Sequence, residues 1–160
     1  RGLGDVYKRQ IHYRSTEYAI EEVWCKFRLN VCNNLPQAIL GAGVGCYRDS
    51  EHMKAIQNGL KKELEAIAEA KGIDISKADR MSGRGSAVPP MARYSTLQDL
   101  DAGRHTEIDM FSGALIRMGK ELGIPTPYNE YTYHMIKALE EKNDGLFDYD
   151  KTNRRSAWAI

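Results

Sequence analysis

Apolar positions recur every three or four residues along most of the chain, a spacing that predicts α-helices rather than strands. The first predicted helix runs from a cap at Ser15 or Thr16 to about Asn34. Its apolar residues fall within a sector about 120° wide and are expected to face the core: Ile20, Val23, Trp24, Phe27, Val31 and Leu35. Pro36 suits the first turn of a short helix, PQAIL, which the glycine-rich LGAGVG then ends.

The rest of the chain is also predicted to be helical. A second long helix begins near Asp49–Ser50 and stops at Gly72, and MSGRGSAVPP is predicted to be a loop. Three more helices are expected, at residues 95–102, 106–122 and 127–142. Thr126 is expected to cap the last of them, with Tyr131, Met135, Ile136 and Leu139 facing inward. No alternating stretch is long enough to build a sheet, so the predicted fold class is all-α.

The chain divides into three predicted regions. Residues 1–10, RGLGDVYKRQ, resemble the in-frame translation of a sequencing adaptor and are excluded from fold reasoning. Residues 11–145 are predicted to form one helical domain, because a chain of 160 residues is long enough to bury a core. Residues 146–160 are predicted to be an irregular tail.

Charge and cysteine usage exclude several classes of partner. With 23 basic and 22 acidic residues the net charge is +1, so neither nucleic acid nor an anionic membrane surface is predicted to bind. The longest apolar stretches are shorter than the roughly 20 residues of a membrane span. The three cysteines form no CxxC pair and the four histidines are scattered, which argues against a metal site. The three cysteines are expected to be small buried apolar residues in a reducing cytoplasm.

Lys26, Asn30 and Asn34 form the first candidate constellation, at positions i, i+4 and i+8 of the first helix. On a helical wheel they lie at about 0°, 40° and 80°, so each successive polar residue lies closer to the apolar face of the helix. A buried amide without a partner costs about 1–3 kcal/mol, so Asn34 needs a protein bond, a water or a ligand. A solvated lysine with two asparagines bonded to neighbouring helices is the alternative interpretation.

Ser95 and Glu107 start two later predicted helices. Ser95-Thr96-Leu97-Gln98 has the form of a capping box, and the same helix start would also suit a carboxylate ligand. Glu107 in a first turn is favourable against the helix dipole by about 0.3–1 kcal/mol. Arg104 and His105 are expected to serve local structure.

The segments WCKFRLNVCNNLPQA and RYSTLQDLDAGRHTEID resemble the C-terminal domain of ketopantoate reductases. The resemblance implies a multi-helix substrate domain of the ketopantoate reductase and 6-phosphogluconate dehydrogenase C-terminal-like type. It also implies roles for five residues: Lys26 as proton donor, Asn30, Asn34 and Ser95 as substrate contacts, and Glu107 as a cofactor contact. NADPH would be held mainly by an N-terminal Rossmann domain, expected before residue 1 and absent from this sequence. The run Gly41, Gly43, Gly45 has the wrong spacing for that motif and is predicted to be a loop.

The implied reaction is the NADPH-dependent reduction of 2-dehydropantoate to pantoate, for coenzyme A biosynthesis. Hydride attack on a 2-keto group leaves charge on the former carbonyl oxygen, which an ammonium can stabilise and then protonate. A lysine at the rim of an apolar face can be partly desolvated, which would lower its pKa. The implied partners are a small 2-keto acid, the Rossmann domain and, as an open alternative, a second copy in a homodimer.

Two other functions stay open at this point. The family often carries another substrate-binding Asn in the region that reads GAGVGCYRD here, so a paralogous reductase of a different 2-keto acid is one alternative. A non-enzymatic helical module for dimerisation is the other. The 160 residues alone are expected to be inactive, because they cannot hold the hydride donor.

Overall fold

The computed structural model describes residues 19–76, 88–147 and 149. The predicted caps Ser15 and Thr16, residues 1–10, most of MSGRGSAVPP and most of the tail lie outside them. The described residues contain no β-strand, and the prediction of an all-α fold is confirmed.

Helices make up most of the described chain. They are α1 Ala19–Leu29, α2 Leu35–Leu40, α3 Cys46–Asp49, α4 Glu51–Ala70, α5 Ser95–Asp101, α6 Ser112–Leu122 and α7 Pro127–Asn143. A π-helical turn, Asn30–Asn34, joins α1 to α2, and a 3-10 turn, Ile108–Met110, precedes α6. The long helix α4 packs against the π-turn and against α1, α2, α6 and α7. The core therefore forms around α4, where Leu60, Leu64 and Ile67 are completely buried.

The predicted bounds of α4 are confirmed. The Ser50 hydroxyl accepts a hydrogen bond from the Met53 N–H at 3.2 Å, which caps the first turn. At the other end Gly72 takes the left-handed conformation, with φ of 72°, and lets the Ile73 N–H return to the Ala68 carbonyl. The capping serine and the glycine were sufficient to predict where α4 begins and ends, because hydrogen bonds between residues close in sequence fix both ends.

Three predicted core positions are wrong. Ile20 and Val23 are 61% and 65% exposed, whereas Trp24 and Phe27 pack against the core. Within the described residues, the elements packed against α1 thus cover only the side of the helix that carries the two aromatic rings. Tyr131 is also exposed, because α7 turns the side bearing Thr132 and Ile136 inward.

The start of the predicted helix 106–122 is also wrong. Glu107 precedes a 3-10 turn, and Phe111, with φ −100° and ψ −98°, interrupts the helical backbone before α6 begins at Ser112. Because of this interruption, Glu107 lies in a connecting segment rather than in the first turn of a long helix.

Thr126 occupies the predicted cap position of α7, but its side chain makes no capping hydrogen bond. The buried carboxylate of Glu63, from α4, takes that role. It accepts hydrogen bonds from the N–H of Tyr128 at 2.7 Å and from the N–H and side-chain amide of Asn129 at 3.0 and 2.7 Å. A distant carboxylate thus replaces the local hydroxyl that the sequence suggested.

Candidate functional site

Asn30 and Asn34 lie at the two ends of the π-turn and contact each other. The side-chain N–H of Asn34 donates to the side-chain oxygen of Asn30 at 3.1 Å, and Asn34 is buried while Asn30 is half-buried. A π-turn is rare and is found frequently at functional sites. The two asparagines are therefore paired with each other across an unusual turn.

The hydroxyl of Tyr47 bridges the backbone where the π-turn meets α2. It accepts a hydrogen bond from the Gln37 N–H at 3.0 Å and donates one to the Asn33 carbonyl at 2.6 Å. A regular α-helix would join those two backbone groups directly. Pro36 contributes, because it has no N–H to offer and its ring disfavours a regular helix one turn before it. Burial raises the pKa of Tyr47, so the hydroxyl keeps the proton that it donates.

Gln37 connects the π-turn region to the segment that leads into α5. Its side chain is completely buried. It donates to the Ala92 carbonyl at 3.1 Å and accepts from the Tyr94 N–H at 2.6 Å. The start of α5, with Ser95, is thereby fixed against α2, and α5 also packs on the π-turn.

The glycine-rich loop after α2 packs backbone to backbone against residues 90–92. The N–H of Val44 donates to the Ala92 carbonyl at 2.9 Å, and the N–H of Gly45 donates to the Pro90 carbonyl at 2.8 Å. A Cβ atom on Gly43 would lie 2.4 Å from the Pro90 oxygen, so only glycine allows this approach. The prediction that this run is a loop is confirmed, and the glycines serve packing.

Ser95 is the exposed first residue of α5, but the predicted capping box does not form. The cap position belongs to Tyr94, which makes no side-chain capping bond. The Gln98 side chain turns instead to the Arg93 carbonyl, at 2.6 Å. The capping interpretation is wrong because the helix begins one residue earlier than predicted, so Ser95 and Gln98 do not occupy the cap and third positions that a capping box needs.

The residues before Glu107 are each held by a side-chain bond. Arg104 donates to Asp99 at 2.8 and 3.0 Å, and His105 lies 2.7 Å from Asp144. Thr106 donates to the nearly buried Glu140 through both its N–H and its hydroxyl, each at 2.7 Å. These contacts agree with the structural role expected for Arg104 and His105. They hold the backbone on the N-terminal side of Glu107, whose side chain is exposed.

Glu140 is ionised within this cluster. Burial opposes the charge, but the two bonds from Thr106 and the ammonium of Lys137, 3.1 Å away, outweigh it and lower the pKa of Glu140 below its ordinary value of 4.5.

The structure brings some of the predicted site residues together. Asn30 and Asn34 are bonded, and the helix of Ser95 packs on their turn. Lys26 lies near the end of α1, one turn before Asn30, and its side chain is exposed within the described chain rather than partly buried as expected. Glu107 borders the 3-10 turn, which packs against α6 and α7. That Lys26 and Glu107 share one pocket with the amide pair stays a prediction.

Three surface pockets formed by described residues are lined by none of these five residues. One, of about 560 Å³, is apolar and lies between α2, α4 and α7.

Across residues 19–76 and 88–147, no group of three or more His, Cys, Asp or Glu is placed to hold a metal ion. Burial raises the pKa of the Cys32 thiol to about 12, in line with a small buried residue. Among the helices that the structure describes, none has the length and apolar character to cross a membrane.

Gln37 and Tyr47 are the residues of this region that sequence reasoning missed. Each side chain makes two hydrogen bonds to backbone groups, and no periodic pattern in the sequence marks either of them. Pro36 was the available signal, because a proline between two helical stretches leaves backbone groups that need other partners.

The chain is similar to proteins of one known family. Residues 19–140 match the family described as ketopantoate reductase PanE/ApbA C terminal. A 2-dehydropantoate 2-reductase from Shigella flexneri is 32% identical over 127 residues, which are 78% of this chain and 41% of that protein. The chain thus spans less than half the length of the curated relatives that it matches.

Solved structures show the same fold. A PanE/ApbA family ketopantoate reductase from Ralstonia eutropha has a TM-score of 0.70 and 28% identity, and the match covers 81% of this chain and 44% of that one. A D-mandelate dehydrogenase, solved with NADH and anilino(oxo)acetate, has a TM-score of 0.73 and 21% identity over 88% of this chain and 60% of its own. The family match covers more than half of the chain, and the chain therefore belongs to the ketopantoate reductase family, of which it forms the helical C-terminal domain.

Proposed function

We propose that this chain is the substrate-binding and catalytic domain of an NADPH-dependent 2-dehydropantoate 2-reductase, acting in the cytoplasm. The observation that carries the proposal is the Asn30–Asn34 amide pair on a π-turn, packed against the helix that begins with Ser95. Amides and a hydroxyl can orient the polar groups of a keto acid without adding a competing charge. The family membership supports the same reaction.

Lys26 is the proposed general acid. Its exposed ammonium lies one helical turn before the amide pair, on the side of α1 that the described residues leave uncovered. During reduction, negative charge develops on the keto oxygen, where a nearby ammonium stabilises it and then delivers a proton. Val23, on the same uncovered side, is 65% exposed. Covering of this side by a further domain would exclude water from the reaction.

Glu107 is the proposed cofactor contact. When bound, NADPH supplies the hydride for the reaction. The exposed carboxylate of Glu107 fits such a ligand, because it can accept hydrogen bonds from an amide or hydroxyl group. Thr106, bonded twice to Glu140, fixes the backbone from which that carboxylate projects.

The role of Lys26 can be tested by the substitution Lys26→Ala in the complete reductase that carries this domain. A general acid contributes about 10²–10⁴-fold to the rate, so kcat for ketopantoate reduction should fall by at least about a hundredfold. Lys54→Ala, an exposed lysine on α4, is the matched control and should keep full activity. Unchanged turnover in Lys26→Ala would remove Lys26 from the mechanism.

Extending the reading frame upstream of Arg1 tests the proposal at the level of the gene. A strand–turn–helix with G-x-G-x-x-G spacing supports a dinucleotide-dependent enzyme. An unrelated upstream domain would instead favour the non-enzymatic alternative, a helical module for dimerisation.

A reductase of another 2-keto acid is the second candidate. Val44 occupies the loop where the resemblance led us to expect a substrate-binding amide, and its N–H is bonded to Ala92. Turnover across a panel of 2-keto acids separates the two candidates. Ketopantoate performing no better than simpler keto acids would favour the second one.

A further inference from the structure

Two residues outside the π-turn, Tyr47 and Gln57, hydrogen-bond to Asn33 within it. Tyr47 is buried, and its single hydroxyl satisfies one backbone donor, Gln37 N–H, and one backbone acceptor, Asn33 C=O. Without the hydroxyl, both backbone groups would lose their partner, unless the helix closed and joined them directly. From α4, Gln57 also holds the turn, donating to the Asn33 side-chain oxygen at 2.9 Å.

Gln37, whose N–H donates to Tyr47, also binds the segment that leads to Ser95. The Gln37 side chain binds the backbone of Ala92 and Tyr94, on either side of Arg93. Tyr47 and Gln37 therefore form one continuous hydrogen-bonded path from the Asn33 carbonyl to the start of α5. Its two ends adjoin the two parts of the candidate substrate site.

We propose that Tyr47 and Gln37 are positioning residues for the substrate: together they hold the Asn30–Asn34 pair and Ser95 in the relative arrangement that binds the keto acid. This proposal rests on the proposed function. The two residues themselves are buried and act through the groups they hold. If the turn closes into a regular helix, the fraction of molecules competent to bind falls, and the apparent affinity falls by the same factor.

The test is Tyr47→Phe in the complete reductase, with kinetics measured separately for ketopantoate and NADPH. The KM for ketopantoate should rise about tenfold or more, because the hydroxyl that keeps the turn open is gone. The KM for NADPH and kcat should stay within about twofold, since the altered contacts concern substrate binding alone. Tyr131→Phe, at an exposed tyrosine, is the matched control and should behave as wild type.

A second variant and a structural measurement complete the test. Gln37→Met keeps the length of the side chain but removes both bonds to the Ser95 segment, and it should also raise the KM for ketopantoate. A crystal structure of Tyr47→Phe should show the Gln37 N–H bonded directly to the Asn33 carbonyl. Persistence of the π-turn in that structure overturns the proposal.

Kinetics also separate this proposal from the proposed function. An unchanged KM in both variants, with Lys26→Ala inactive, overturns the positioning role alone. Full activity of Lys26→Ala would instead count against the catalytic assignment of Lys26, whatever the two positioning variants do.

Discussion

Single buried polar residues position much of this domain. Glu140 is 2% exposed, yet it carries a charge because Thr106 and Lys137 surround it with donors. Glu63, also buried, satisfies the first turn of α7. In both cases a carboxylate on one helix orders a connecting segment, so the residues next to Glu107 and at the start of α7 depend on side chains far away in sequence.

The lowered pKa of Glu140 predicts a specific acid sensitivity. Because its folded pKa is below the ordinary 4.5, ionised Glu140 contributes stability above about pH 4.5, and that contribution is lost as the pH falls through the folded pKa. The free energy of unfolding, from urea titrations of this chain at several pH values, should therefore decline on acidification. Glu140→Gln should lower it by about 1–3 kcal/mol near pH 7 and flatten the acid decline.

Glu141→Gln, at the exposed neighbouring position, serves as the control and should retain the wild-type pH profile. An acid decline of equal steepness in Glu140→Gln would show that other carboxyl groups cause it.

At the scale of helices, two glycines of α6 predict opposite effects of the same substitution. Alanine favours the interior of a helix over glycine by about 1 kcal/mol; Gly119 lies in the interior of α6, and Gly113 lies in its first turn. A Cβ atom at Gly113 meets its neighbours at 3.4 Å, an ordinary contact, whereas one at Gly119 would lie 2.7 Å from the Ile124 carbonyl oxygen. Gly113→Ala should thus be neutral or stabilising. Gly119→Ala should cost about 1–3 kcal/mol, because the turn into α7 has to shift.

Thermal or urea unfolding of the two variants side by side measures this difference. Equal stability of both would contradict the close approach of α6 to the turn at Ile124.

The sequence predicts these elements well where their ends are local. Ser50 and Gly72 define α4, whereas Pro127 marks the start of α7 but the first turn there is satisfied by the distant Glu63. The π-turn was not predictable, because the Tyr47 hydroxyl that bridges its backbone to α2 lies ten residues after Gln37, whose N–H it accepts from. The spacing of Asn30 and Asn34 was enough to suggest them as site residues. Their hydrogen bond to each other and their link to the Ser95 segment arise only from tertiary packing and could not be predicted.

At the scale of the whole molecule, we expect another domain to cover the side of α1 that residues 19–76 and 88–147 leave exposed. Val23→Ser should change the free energy of unfolding of the 160-residue chain by no more than about 0.5 kcal/mol, because Val23 is 65% exposed there. In the complete protein the same change should cost about 1–2 kcal/mol, as expected when a buried apolar side chain is lost.

Comparing urea unfolding of the 160-residue chain and the complete protein measures both values. Leu146→Ser, at an exposed position beyond the end of α7, is the control. An equal, small effect of Val23→Ser in both proteins would mean that this side of α1 stays in contact with solvent.

The carboxylate of Glu63 has a consequence for how the molecule assembles. Glu63 lies 65 and 66 residues before the backbone N–H groups that donate to it, so α7 acquires its first satisfied turn only once α4 has formed beside it. During synthesis, α7 would therefore remain without a stable first turn until it docks on α4. The two helices are expected to appear and disappear together, as one cooperative unit.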